Sequence, residues 1–213
     1  MTNSEFERYV AGYAVNSYAK YKILPSVTIA QAILESGWGK SELATKANAL
    51  FGIKAGKEWT GKRYNIKTKE VYDGKTVSEY ADFRAYASWG DSILDHNEFL
   101  YNLSRYKNVI GETDYKTACR NLQKDGYATA PTYAKSLIDI IEDNGLFGYD
   151  ETAKRGMVET VPATIKRVQY VIQKGDTLTK IAEQHLTTVE NLVKLNNIAN
   201  KNLIIAGNTL YLN

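Results

Sequence analysis

The chain has 213 residues, enough for one large domain or for a body of about 150 residues with a small module beside it. Basic and acidic side chains balance over residues 1–163, so the formal net charge of +3 comes from six Lys or Arg against three Asp or Glu in residues 164–213; so small a surplus does not suggest nucleic acid and fits an anionic cell surface, although charge alone does not separate those partners. One cysteine, Cys119, and two histidines, His96 and His185, exclude an internal disulfide and leave no thiolate or His-rich metal site to build, so no metal cofactor is expected.

In chain order, Ser4 and Glu7 read as a capping box, and Phe6, Val10, Tyr13 and Ala14 follow at helical spacing, predicting a first helix to about Lys20. Pro25 and Ser26 open a second helix in which Val27, Ala30 and Leu34 recur on one side and Glu35 follows directly, with Gly37, Trp38 and Gly39 beyond. A carboxyl placed beside apolar and aromatic groups loses hydration of its charged form, stays protonated nearer neutrality, and can donate a proton. The plain alternative is a solvated carboxylate that ends the helix.

Between Trp59 and Tyr86 the pattern changes to short runs around Asp73-Gly74, a pair that favours a two-residue hairpin. Strand alternation then puts Tyr64, Ile66, Thr68, Glu70 and Tyr72 on one face. Helical spacing returns with Ser88 and Asp91 as a cap and Ile93, Phe99, Leu100 and Leu103 as buried positions. Helices over about 114–124 and 132–144 follow, each stopped by a glycine, Gly126 or Gly145, and Cys119 belongs to the apolar side of the first. Residues 150–167 show scattered charge, Gly156 and Pro162 and no apolar period, and read as a linker. The remaining 168–213 begin and end as strands, with helical stretches near 178–185 and 188–195 between them.

Ala30-Gln31-Ala32-Ile33-Leu34-Glu35-Ser36-Gly37-Trp38-Gly39-Lys40-Ser41, followed by Leu50-Phe51-Gly52-Ile53-Lys54, closely resembles glycoside hydrolase family 73, the bacterial and phage peptidoglycan N-acetylglucosaminidases. The tail resembles the LysM module through Tyr170-Val171-Ile172, Gly175-Asp176-Thr177-Leu178, Leu195-Asn196-Asn197 and Gly207-Asn208-Thr209-Leu210. These resemblances imply an α+β protein: a mainly helical, lysozyme-like catalytic domain with a small β-rich lobe over 1–149, a linker over 150–167, and a βααβ LysM domain over 168–213. They imply an endo-β-N-acetylglucosaminidase that cuts the β-1,4 bond between N-acetylglucosamine and N-acetylmuramic acid while LysM holds the cell wall. The rivals are a lytic transglycosylase and a non-catalytic wall-binding or virion protein.

Glycosidic hydrolysis ordinarily takes two carboxyl groups, and the resemblance assigns Glu35 as acid and Glu70 as the second, with Glu58, Asp73 and Glu79 as competitors on the same lobe. It carries over Phe51, Tyr127 and Tyr133 as substrate contacts, the last two from Gly126-Tyr127-Ala128-Thr129-Ala130-Pro131-Thr132-Tyr133-Ala134. The asparagine usual before Leu50 is Ala49 here, with Asn48 one place earlier, and Asp95-His96, at mid-helix, suits a structural pair better than a catalytic one. In the tail, Gly175, Asp176, Thr177, Leu178, Asn197 and Ile198 are the implied contacts to N-acetylglucosamine chains, although Asp176 or Thr177 would also cap the next helix. The implied partner is peptidoglycan, without nucleic acid or membrane insertion, and the protein is expected to be a monomer. The first eight residues carry neither a basic leader nor an apolar run, which fits either a phage lysin released from the host cytoplasm or a chain whose signal has been removed.

Overall fold

The computed structural model describes residues 1–72, 75–159, 169–185, 188–196, 198 and 200–212, with backbone alone at 69–72, 75–77, 169, 191, 194 and 195. The body opens with α1 (Asn3–Tyr21), whose capping box is Thr2 with Glu5: the Thr2 hydroxyl accepts from the Glu5 N–H at 3.2 Å and the Glu5 carboxylate from the Thr2 N–H at 2.7 Å. The box expected at Ser4 and Glu7 is therefore two residues too late, because Ser4 already lies inside the helix.

Helix α2 (Pro25–Ser36) is the central element, buried from Pro25 to Ile33 and surrounded by helices. Such a helix is mostly apolar on every side, and its buried polar side chains Ser26, Thr28 and Gln31 each meet a hydrogen-bond partner from another element. Only its last turn reaches the surface. Leu34, expected in the core, is 37% exposed there, and Glu35 is exposed beside it. Gly37, Trp38 and Gly39 follow with φ of 56°, 62° and 73°, a left-handed run that turns the chain sharply away from the acid. A side chain at Gly39 would collide with the Trp89 and Phe6 rings, so that position needs glycine for space as well as for backbone.

A short helix, α3 (Glu42–Ala47), leads to the hairpin β1 (Arg63–Tyr72) and β2 (Lys75–Arg84), antiparallel in the register Tyr64 to Phe83, Glu70 to Val77 and Tyr72 to Lys75. That pairing leaves two residues between the strands, as expected for Asp73-Gly74, which themselves lie outside the described residues. The β lobe is thus one long hairpin. Arg84 ties its base to the body through Asp95, at 2.8 and 3.0 Å, while its guanidinium lies over the Trp59 ring.

Helix α4 (Trp89–Asn102) starts at Ser88, whose hydroxyl accepts from the Asp91 N–H. It buries Ile93 and Leu100 completely and packs Phe99 and Leu103 on the core edge. Helices α5 (Tyr115–Lys124) and α6 (Tyr133–Asp143) both end in left-handed glycines, Gly126 and Gly145, with Tyr127 N–H returning to the Leu122 carbonyl and Leu146 N–H to that of Ile141. Cys119 is fully buried on α5, and that burial pushes its thiol up to about 12.

The linker does not begin at residue 150. Residues 147–154 form α7 (Phe147–Lys154), packed on α1 and α2, and the chain still grips α1 at Glu159, which exchanges two hydrogen bonds with Asn16. The reason is Asp150. Helix α2 begins at Pro25 without a side-chain cap of its own, and the buried Asp150 carboxylate supplies one, accepting from Ser26 N–H at 2.8 Å and Ser26 Oγ at 2.7 Å. The rest of the expected linker, 160–167, lies outside the described residues.

In the tail, β3 (Gln169–Val171) pairs antiparallel with β4 (Thr209–Tyr211), and α8 (Leu178–Gln184) and α9 (Val189–Leu195) lie between them in sequence. A separate core of Ile172, Leu178, Ile181, Ala182, Leu192, Leu210 and Leu212 holds this βααβ unit. Asn196 braces it, bonding both the N–H and the carbonyl of Tyr211 as a neighbouring strand would. Among the described residues no helix is long and apolar enough to cross a membrane.

Candidate active site

Glu35 occupies the next-to-last position of α2, where the buried helix emerges from the body. Its Oε1 accepts a 3.0 Å hydrogen bond from the hydroxyl of Tyr133, the first residue of α6 and 98 positions away in the chain. Glu35 is exposed at the surface, yet the protein packed beside it strips hydration from the carboxylate. That desolvation raises its pKa, while the Tyr133 hydrogen bond pulls it back. The group is biased toward the protonated state an acid catalyst needs.

Behind Tyr133 runs a chain of rings. Tyr127 stacks on Tyr133 with centroids 5.6 Å apart, its edge meets His96 at 5.8 Å, and His96 lies flat on Phe51 at 3.8 Å. Burial, then the nearby Glu35 charge, raises the Tyr127 phenol well above its ordinary range, so it remains a neutral donor. Tyr127 and Tyr133 are thus gathered at Glu35. Phe51 is only 4% exposed beneath His96, which corrects its expected role: it supports the wall from behind.

Trp38, three residues after Glu35, turns instead to Phe6 at 6.0 Å. His96 is fully buried, its imidazole pushed down to about 3 by desolvation, with Nδ1 3.2 Å from Asn97 Oδ1. It stays neutral. Asp95 is taken up by Arg84 and by the Tyr86 hydroxyl at 2.7 Å, so the Asp95-His96 pair is structural here. Asn48 ends α3 in a left-handed conformation and gives its amide to the carbonyls of Tyr86 and Ala87, so it does not replace the asparagine missing at position 49.

Glu70 is described by its backbone, paired with Val77 near the hairpin tip and seven residues beyond Arg63 at the base, which is about 20 Å along an extended strand. It has the same strand parity as Tyr64, whose cross-strand partner Phe83 is buried in the body. Glu58 is exposed on the segment before β1, and Glu79 faces Thr68 across the ladder. Sequence reasoning passed over Gln31, which donates from Nε2 to the Tyr133 hydroxyl at 3.1 Å. The sequence shows only that Gln31 and Glu35 stand one helical turn apart, and nothing in it tells that the amide meets Tyr133.

In the tail, Asp176, Thr177 and Leu178 line an open depression of about 590 Å³ together with Lys201, Asn202 and Ile204. Thr177 caps α8 by accepting from Lys180 N–H, and Asp176 accepts from Tyr170 Oη and Gln173 N–H, bonds that hold its pKa below the usual carboxylate range. Leu178 lines the depression while its side chain, 3% exposed, belongs to the core. Gly175 makes the preceding turn with φ 90°. Ile198 lines a different hollow, with Leu203, Ile205 and Tyr211, and Asn197 lies outside the described residues.

A helical body with a hairpin lobe, a carboxyl at the mouth of a ring-lined cleft, and a βααβ appendage define a lysozyme-like glucosaminidase fold with a LysM module. Residues 11–146 match the family model described as mannosyl-glycoprotein endo-beta-N-acetylglucosaminidase, and residues 170–213 match the LysM domain. The chain belongs to this glucosaminidase family. It is 44% identical over 147 residues to the exo-glucosaminidase LytG of Bacillus subtilis, a match that covers 67% of this chain and 51% of that relative. Among solved structures, the catalytic domain of the autolysin Auto from Listeria monocytogenes is similar with TM-score 0.63 and 36% identity, covering 70% of this chain and 87% of that one. A peptidoglycan hydrolase mutant from Sphingomonas sp. A1 is similar with TM-score 0.62 and 35% identity, covering 70% of this chain and 97% of that one. The chain spans about half the length of its B. subtilis relative.

Proposed function

We propose that the protein is a peptidoglycan hydrolase that cuts the β-1,4 bond on the reducing side of N-acetylglucosamine, with a catalytic body through about Glu159 and a wall-binding module from about Gln169. The observation that carries this reading is Glu35, a desolvated carboxyl open to the cleft and hydrogen-bonded by Tyr133. Protonated Glu35 gives its proton to the glycosidic oxygen as the C1–O bond breaks. Water then adds to the sugar carbon, leaving one hydrogen on the new hydroxyl and returning the other as the proton that restores the acid, so the net reaction is hydrolysis.

Glu70 is the proposed second carboxylate, acting on water or on the acetamido group of N-acetylglucosamine, which can itself attack C1 in substrate-assisted glycosidases. The partly buried Tyr127 offers a ring and hydroxyl for the sugars, while Tyr133, 4% exposed, acts at the site through its hydroxyl on Glu35. The depression at Asp176 and Thr177, with Lys201 and Asn202, is the proposed seat for glycan in the tail, and the wall is where the protein acts.

Glu35→Gln keeps the shape of the site and removes the proton. It is expected to lower turnover of purified peptidoglycan by at least about 10²-fold while binding to sacculi persists. Cleavage at the parent rate would remove Glu35 from the role. Internal cutting, as expected for an endo enzyme, releases long glycan fragments early, whereas terminal cutting releases small products from the start.

A further inference from the structure

Gln31 and Glu35 stand one turn apart on α2, and the Tyr133 hydroxyl enters between them from α6. The phenol oxygen accepts from Gln31 Nε2 at 3.1 Å, and the phenol proton goes to Glu35 Oε1 at 3.0 Å. Gln31 is fully buried and Tyr133 is 4% exposed, so water does not compete freely for these groups. The other end of the amide, Gln31 Oε1, is buried with no hydrogen-bond partner among the described residues. An unpaired buried carbonyl is a penalty that a methionine of the same length would avoid. What the amide adds in return is its N–H.

A phenol has one proton to give. With an amide N–H already directed at its oxygen, the Tyr133 hydroxyl must point its proton at Glu35, which makes Oε1 the accepting oxygen. The carboxyl's own proton is then confined to Oε2, which meets no hydrogen-bond partner among the described residues. We propose that Gln31 is a positioning residue for the cleavage step: by orienting the Tyr133 hydroxyl, it holds the transferable proton of Glu35 on the oxygen left free for the substrate. The inference rests on the reading of Glu35 as general acid. As the C–O bond breaks, its electron pair goes to the glycosidic oxygen, which takes the proton from Oε2, and the carboxylate left behind keeps the Tyr133 hydrogen bond. Without the amide, the phenol is free to rotate and accept the Glu35 proton, an unproductive arrangement.

The test is a double-mutant cycle of Gln31→Met and Tyr133→Phe on soluble, uncross-linked glycan chains, with kcat and KM measured separately and folding followed by circular dichroism. Gln31→Met is expected to lower kcat about tenfold at unchanged KM, a small part of the ~10²–10⁴ that a positioned acid contributes. In the Tyr133→Phe background the same change should lower kcat no further, because Gln31 acts only through that hydroxyl. Unchanged kcat in Gln31→Met, or fold-losses that multiply in the double variant, would overturn the proposal. Nuclear Overhauser contacts in the parent protein test it without any variant: the Gln31 side-chain N–H protons should lie against the Tyr133 ring, and the opposite amide orientation would refute it. If Glu35→Gln cleaves at the parent rate, the reading of the acid fails and this inference with it. Loss of activity in Glu35→Gln with no effect of Gln31→Met sinks this inference alone.

Discussion

Glu35 is held between two opposing influences, desolvation that favours its proton and a phenol that favours its charge. Removing the phenol in Tyr133→Phe leaves desolvation unopposed, so the Glu35 pKa rises further. The descending, high-pH limb of kcat/KM should move to higher pH, even as the maximal rate falls; a limb that stays in place or moves down would contradict this assignment. The raised pKa also has a cost in stability. The unfolded carboxyl ionises at lower pH than the folded one, so folding loses stability as pH rises through that window, and the loss is complete above the folded pKa. Glu35→Gln escapes it. Its melting temperature should exceed that of the parent at pH 7, and the gap should close as pH falls below the unfolded pKa of a glutamate.

At this scale the sequence was informative where chemistry and position coincide. Glu35 drew notice as a carboxylate at the end of an apolar helix, but a solvated helix end fits that position as well, and the choice of the acid rested on the resemblance. Tyr133 was reached only through the resemblance, since its partner lies 98 residues away, and Gln31 was missed because a glutamine inside a buried helix gives no sign of what it bonds. Phe51 proved buried beneath His96, for an apolar side chain in a motif marks a core position as readily as a contact.

Among the elements, α2 carries Glu35 at one end and depends on α7 at the other. Asp150 caps the Ser26 N–H from outside the helix, and α7 was illegible because this buried aspartate interrupts the apolar spacing between Leu146 and Ala153. Asp150→Ala leaves a buried N–H and hydroxyl unpaired and is expected to cost about 1–3 kcal/mol in a urea melt. A change near zero would mean that α7 merely covers α2. The strands and the other helices were easier to read, because their signals are local: Ser88 capping α4, Gly126 and Gly145 closing α5 and α6, and the paired hairpin register. The first helix shows the usual limit, with two capping boxes available in overlapping positions and the earlier one used.

On the scale of the whole molecule, two separate cores divide the labour, one carrying Glu35 and the other the depression at Asp176. A tether raises the local concentration of substrate without altering the chemistry. Deleting residues 169–213 should therefore leave kcat on soluble glycan chains within about twofold while slowing digestion of intact sacculi by about tenfold or more. Equal losses on both substrates would mean that the module supports the catalytic body itself. The central claim, however, is which bond breaks and how. Purified peptidoglycan should be digested, reduced with borohydride and its products weighed by mass spectrometry: new ends at reduced N-acetylglucosamine are the predicted result, whereas reduced muramic acid ends, anhydro-muramic products or no products at all would contradict it.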